Sequence, residues 1–403
     1  MKSSPIERSA NWTCERSKKR GSRSRLSDPL IRSDAGRASA EAGAHSLNEI
    51  LSQAKCWETC LTDLARNPAV KEIEASFGQS DGWLFIGCGS SYYVALAGAA
   101  TMKLLTGRRA SAVPASEILL YPDLVFSASR CVPVLISRSG QTSEVLKVAE
   151  ILRDRGVPSI AISCARGQLL EKLVSVTLSL PADEQSTVMT RSFTSMLLAL
   201  QFLAAGIAGS EDYRTSLLAM PELAVPILAR SPQQIREFVT HHTFADYVCL
   251  GQGPYHGLAC EYGLKIMEMS LSFSQVFHSL EFRHGPKSVV GPETLLIFLL
   301  SERGYEAECD LLDEMKLLGA TTMVIANQAN ARVRAAADLL IELQLPLPEL
   351  ARMVPSLVPG QLLALFTGLK KGLNPDMPRY LSRAVILDDT DPVQASRKPE
   401  PVA

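Results

Sequence analysis

The sequence lacks the features that would mark several large functional classes. Its 403 residues carry 41 Lys+Arg against 42 Asp+Glu, a net charge of −1, so there is no basic excess of the kind a general nucleic-acid or anionic-membrane binder uses. No uninterrupted apolar run approaches the roughly 18 residues that span a bilayer. The nearest, around Leu197–Gly209, is broken by Gln201 and two glycines. The nine cysteines are scattered, odd in number and contain no CxxC pair, which argues against a disulfide framework or a zinc cage and for reduced thiols in a cytosol. The six histidines include no HExxH. A soluble, cytoplasmic protein with no metal, nucleic-acid or membrane partner is the expectation.

Composition also divides the chain. Residues 1–44 hold ten Lys/Arg against five Asp/Glu, many serines and almost no aliphatic clusters, so they are expected to be a disordered extension. Residues 391–403 read the same way. From about Leu47 a regular pattern sets in. Asp81–Gly87 reads as a buried strand, followed by a Gly/Ser turn and an Ala-rich helix through Leu105. Cys131–Ser137 is a second strand, followed by a polar turn and a helix from Thr142 to Arg155; Val157–Ser163 is the next strand. Short apolar strands alternating with helices predict an α/β fold built on parallel sheets buried on both faces.

The pattern then recurs. Gly87-Cys-Gly89 matches Gly251-Gln-Gly253 at an offset of 164, and Ala95 matches Ala259 at the same offset. Val134–Gly140 likewise falls on Phe298–Gly304, with Ser137 on Ser301. One offset across two strand–turn–helix units indicates duplicated subdomains, placed at 45–215 and 216–390. The two copies differ chemically. Ser137-Arg-Ser-Gly-Gln-Thr142 is a hydroxyl-rich turn ahead of a helix N-terminus, suited to an anion. Its counterpart, Ser301-Glu-Arg-Gly-Tyr-Glu306, carries two carboxylates and would repel one.

These residues carry a family resemblance over about residues 47–390. Phe85-Ile-Gly-Cys-Gly-Ser-Ser-Tyr92 and Ile136-Ser-Arg-Ser-Gly-Gln-Thr142 resemble the two phosphosugar loops of the sugar isomerase (SIS) fold. Cys260-Glu-Tyr-Gly-Leu-Lys-Ile-Met-Glu268, Glu281-Phe-Arg-His-Gly-Pro-Lys287 and Leu373-Asn-Pro-Asp-Met-Pro378 resemble the isomerase half of glucosamine-6-phosphate synthase. They resemble more closely still the galactosamine-6-phosphate deaminase/isomerase branch (tagatose-6-phosphate ketose/aldose isomerase). The resemblance implies two tandem SIS subdomains, each a flavodoxin-like doubly wound sheet, and an amino-sugar-6-phosphate deaminase/isomerase. Its alternatives are a ketosamine-6-phosphate deglycase, a plain ketose/aldose isomerase, or a non-catalytic phosphosugar sensor. No cofactor is implied.

The resemblance also assigns roles. Gly89, Ser90, Ser91, Ser137, Ser139, Gly140 and Thr142 would grip the phosphate, with Arg138 as an added charge. Thr190 and Arg191, in the strip Thr187–Thr194, would close over the sugar. Glu268 would be the base working between C1 and C2, with Glu261 and Lys265 orienting groups beside it. The spacing of these three independently places them on one helix face. His284 would shuttle the ring-opening proton from across a homodimer interface, in keeping with a histidine's ordinary pKa. Where the synthase has a Schiff-base lysine this chain has Arg383, whose guanidinium cannot serve as that nucleophile but can hold a substrate oxygen. Nor do the first 44 residues resemble a glutaminase.

Overall fold

A computed structural model describes residues 41–125 and 131–387. Helices α1 (Ala44–Leu51), α2 (Gln53–Arg66) and α3 (Pro68–Phe77) lead into β1 (Gly82–Gly87). There follow α4 (Ser90–Thr106), β2 (Arg109–Pro114), α5 (Ala115–Leu120), α6 (Pro122–Val125), β3 (Val132–Ile136), α7 (Ser143–Asp154), β4 (Ile160–Ser163) and β5 (Val176–Ser179). Two long helices, α8 (Arg191–Ala208) and α9 (Glu211–His241), separate this half from the next. The second half runs β6 (Asp246–Gly251), α10 (His256–Ser270), β7 (Phe273–Phe277), β8 (Thr294–Leu299), α11 (Tyr305–Leu317), β9 (Thr321–Ala326), α12 (Ala331–Ala336), β10 (Leu339–Glu342) and α13 (Val358–Lys370).

Each half forms one five-stranded sheet, ordered β2-β1-β3-β4-β5 and β7-β6-β8-β9-β10, and every pairing is parallel. Both orders are the 2-1-3-4-5 of a flavodoxin-like doubly wound sheet. The central strands β1, β3 and β8 are buried along their whole length, as helices on both faces require. The duplication reaches the backbone. Gly89 and Gly253 both take φ near +55°, a left-handed turn that side chains with a Cβ resist, and both lie between a central strand and the helix after it.

Helices α4, α8, α10 and α13 pack together between the halves. At one crossing Gly257 of α10 lies so close to α4 that a Cβ there would come within 2.8 Å of the Ala97 amide. That close approach brings the start of α4, and the turn before it, against α10. Helix α8 extends the apolar run read from sequence: all 18 residues of Arg191–Ala208 form one helix long and apolar enough to cross a bilayer. However, 78% of it is buried inside the protein, where it serves as the central core helix.

The boundary of the expected N-terminal extension shifts. Residues 1–40 and 388–403 lie outside the described residues, but 41–44 belong to the folded part. Gly43 donates its amide to Asn374 Oδ1 at 3.1 Å, and Ser46 gives both its amide (2.7 Å) and its hydroxyl (2.6 Å) to Asp376. The Asn-Pro-Asp segment near the end of the described chain thus holds the first helix.

Candidate active site

Helix α10 presents the three charged residues on one face, as their spacing requires. Lys265 is buried, with Nζ 3.3 Å from Glu261 Oε1 and hydrogen-bonded to Glu268 Oε2. Glu261 is wholly buried, and its Oε1 also accepts the Ser90 hydroxyl at 3.2 Å. Ser90 is the first residue of α4, so this bond joins the turn of the first half to the helix of the second. Glu268, at the other end of the row, keeps its side chain 18% exposed and is the member open to an incoming molecule.

Burial dominates the electrostatics. It pushes the Glu261 carboxyl up to about 8, with Glu268 adding to the rise and Lys265 opposing it. Burial would lower the Lys265 ammonium, but the two carboxylates outweigh it and hold the amine above its ordinary value. Lys265 therefore stays charged and is no amine nucleophile at neutral pH. Glu261 Oε2 is buried without a hydrogen-bond partner among the described residues, which favours the protonated acid there. Because the folded-state pKa of Glu261 lies above its ordinary 4.5, its contribution to stability is complete below about 4.5 and is lost as pH rises through about 8. Replacing Glu261 by Gln fixes that position neutral. The fall in melting temperature between pH 5 and pH 8 should then be shallower than in the parent; an unchanged slope would contradict the assignment.

The first-half loop forms as a hydroxyl-lined turn. Ser137 Oγ accepts the Gly140 amide at 3.2 Å and lies 3.2 Å from Thr142 Oγ1, while Ser139 Oγ accepts the Gln141 amide. Thr142 sits immediately before α7. Ser90 and Ser91 open α4 just after Gly89, and Gly89, Ser137, Ser139, Gly140 and Thr142 belong to the loops at the carboxyl ends of β1 and β3. That is the switch point of a doubly wound sheet, where ligand crevices open.

Arg138, Thr190, Arg191 and Arg383 are engaged elsewhere in a way the sequence did not reveal. The organiser is Glu184, whose side chain is fully buried. Its Oε1 accepts the amides of Thr190 (2.6 Å) and Ser192 (2.9 Å) and the Thr190 hydroxyl; its Oε2 accepts the Ser192 hydroxyl and Arg138 Nη1 at 3.0 Å. The α8 N-terminus is thus capped by a remote carboxylate and not by Thr190. Arg191 turns back to the Asp183 carbonyl. Arg383 donates to the Glu184 carbonyl, and its own carbonyl accepts Arg138 Nη2 at 2.9 Å. Beyond it, Val385 O accepts the Ser143 amide at the first turn of α7. Arg138, expected to add charge to the phosphate grip, is held in an ion pair with Glu184, and Arg383 reaches the loop as a strap. Asp183-Glu184 was visible in the sequence only as an acidic pair ahead of the strip. Glu184→Gln should cost about 1.5–3 kcal/mol, the worth of one hydrogen bond to a charged group, read as a lower melting temperature. A change within error would mean that Arg138 finds another anion.

His284 is exposed in the Arg283–Pro286 loop, which Glu314 of α11 pins through Arg283 (3.0 Å) and Lys287 (2.6 Å). It makes no hydrogen bond to the α10 row among the described residues. Two further histidines, His256 and His278, stack with centroids 3.7 Å apart at the start of α10, and burial with His278 beside it lowers His256 to about 4. No group of three or more His, Cys, Asp or Glu able to hold a metal occurs among the described residues.

A sequence model of the SIS domain matches residues 78–206 and again 248–364, once over each sheet. The chain belongs to the SIS domain family. Among curated relatives of this SIS protein is a glutamine–fructose-6-phosphate aminotransferase (isomerizing) from Pyrobaculum aerophilum, 29% identical over 316 residues that cover 75% of this chain and 51% of that one. Its Thermus thermophilus counterpart is 28% identical over 315 residues. The chain spans about half the length of these relatives. Among solved structures, a glucosamine-6-phosphate deaminase from Thermotoga maritima shares 29% identity with a TM-score of 0.68, covering 85% of this chain and all of that one. A tagatose-6-phosphate ketose/aldose isomerase from Escherichia coli superposes with a TM-score of 0.75 at 23% identity, covering 87% and 98%, and shares the fold.

Proposed function

We propose that the chain is an amino-sugar-6-phosphate deaminase/isomerase that interconverts an aldose and a ketose and releases ammonia. The carrying observation is the Ser90–Glu261 bond, which couples the start of α4, at the same sheet end as the hydroxyl-lined 137–142 turn, to a helix bearing one open carboxylate beside a buried cation. In this reading Ser139, Thr142 and the amides around Gly89 and Gly140 hold the phosphate. Glu268 removes the C2 proton and returns it at C1, and Lys265 steadies the negative charge that passes to the substrate oxygen. Water then adds to the resulting C2 imine, whose C–N bond breaks to release ammonia and leave the ketose. Glu261, held protonated by burial, keeps the row from accumulating a second negative charge. His284 opens the ring, supplied by a second copy of the chain in a homodimer, and the reaction runs in the cytosol. Arg383 positions the strap and forms no covalent link to the sugar.

The reading is tested by a coupled ammonia assay on glucosamine, galactosamine and mannosamine 6-phosphates, with fructose and tagatose 6-phosphates followed for isomerisation. Ammonia release from one amino sugar is the expected result. Isomerisation without ammonia would make the chain a plain ketose/aldose isomerase. Binding without turnover of any of them would make it a sensor.

A further inference from the structure

The carboxyl end of the second sheet repeats the crevice of the first. Strands β6 and β8 are neighbours, and the loops leaving them diverge at the switch point of that sheet, the usual place for a ligand. A cavity of about 340 Å³ opens there, and a second of about 580 Å³ adjoins it across Ser301. The turn geometry is retained: Gly304 donates its amide to Ser301 Oγ at 3.0 Å, just as Gly140 does to Ser137.

The anion position is already filled. Glu308 of α11 is buried, and its Oε2 accepts the Ser301 amide (2.8 Å) and hydroxyl (2.7 Å) while its Oε1 accepts the Ser279 hydroxyl (2.7 Å). A carboxylate of the chain itself takes the donors that a phosphate would need, so a ligand of this crevice carries no phosphate.

What remains is a neutral polar cavity with aromatic walls. Arg352 lines it, 1% exposed, and its charge is met by the Glu302 carboxylate. Its Nε is buried with no hydrogen-bond partner among the described residues, a donor left short of an acceptor. Asn327 spends its Oδ1 on the Leu345 amide at 2.9 Å, which leaves the amide nitrogen as a donor. Tyr305 is fixed, donating to the Gln328 carbonyl (3.2 Å) and accepting the Asn330 amide (3.0 Å), and with Tyr255 it supplies ring surface. Balanced charge, spare donors, one exposed carboxylate acceptor and flat apolar walls match a ring that has hydroxyls on its rim and C–H groups on its faces.

We propose that this crevice is a second ligand site, for an unphosphorylated monosaccharide, distinct from the Ser137–Thr142 turn. The test is saturation-transfer NMR on the full chain with glucose, galactose, glucosamine and galactosamine, up to about 20 mM so that binding as weak as about 1 mM is read. Each titration is repeated with saturating glucosamine 6-phosphate and with inorganic phosphate. The expected result is transfer to at least one hexose that survives both additions. It should be lost in Gln328→Trp, where an indole placed on an exposed rim position fills the cavity, and fall at least tenfold in affinity in Arg352→Met. Gln328→Trp alters only an exposed loop residue and keeps the test meaningful if Arg352→Met does not fold. Absence of transfer from every hexose, displacement of the hexose by the 6-phosphosugar, or transfer that persists in Gln328→Trp would each overturn the proposal.

Discussion

Glu268→Gln should abolish exchange of the substrate C2 proton with solvent while the 6-phosphosugar still binds. General-base catalysis typically contributes about 10²–10⁴-fold, so turnover should drop by at least that factor with little change in affinity. The amide is nearly isosteric and still accepts a hydrogen bond from Lys265, so the row keeps its shape while losing its proton acceptor. Glu268 is the right member to carry this loss because it alone of the three is open: Glu261 is wholly buried and Lys265 nearly so. Deuterium incorporation from D₂O, followed by NMR of the sugar, is the direct measurement. Exchange that continues at the parent rate would move the base to another side chain, and Glu261 would be the first to examine.

Lys265→Met should produce the largest loss of stability of any single substitution in the row. Methionine fills much of the same volume, so the change isolates charge from packing. Removing one partner of a buried ion pair strands the other and typically costs about 3–5 kcal/mol. For a chain of 403 residues, at about 2.1 cal/mol/K per residue, that corresponds to a melting temperature lower by roughly 3.5–6 °C. The stranded charge is Glu268, because Glu261 is already held protonated by burial and the Lys265–Glu268 pair carries the charge of the row. The double substitution Lys265→Met, Glu268→Gln should therefore recover part of the loss. A double variant no more stable than the single one would show that packing, and not the stranded carboxylate, sets the cost.

Sequence patterning made the sheets, the duplicated turns and the α10 row legible, because each is a local matter. A buried parallel strand announces itself as an apolar run, and residues four and seven apart on a helix share a face whatever surrounds it. Glu184 and Glu308 were illegible for the opposite reason. Each acts through hydrogen bonds to residues on other elements, and an acidic residue before a helix or in its first turn looks the same whether it faces water or closes a buried network. Arg138 illustrates the consequence. The resemblance implied an added charge for the phosphate grip there, but Glu184, which pairs with it, lies 46 residues onward. The strap at Arg383–Val385 is equally silent in sequence, since two of its docking points are main-chain carbonyls that every residue possesses.

The bond between Ser46 and Asp376 joins residues 330 positions apart. On a ribosome adding about 5–20 residues per second, the partner of the first helix is made roughly 15–65 s after the helix itself. Glu49, one turn further on, reaches Ser186 much sooner and can tether the helix to the finished first half. During synthesis α1 is therefore held by one end only, and its other end waits, with a serine hydroxyl unmatched, until almost the last of the folded chain has emerged. A message that stops short of residue 376 would yield a protein with both sheets complete and its opening helix still unlatched, a state that a protease cutting near residue 46 would detect.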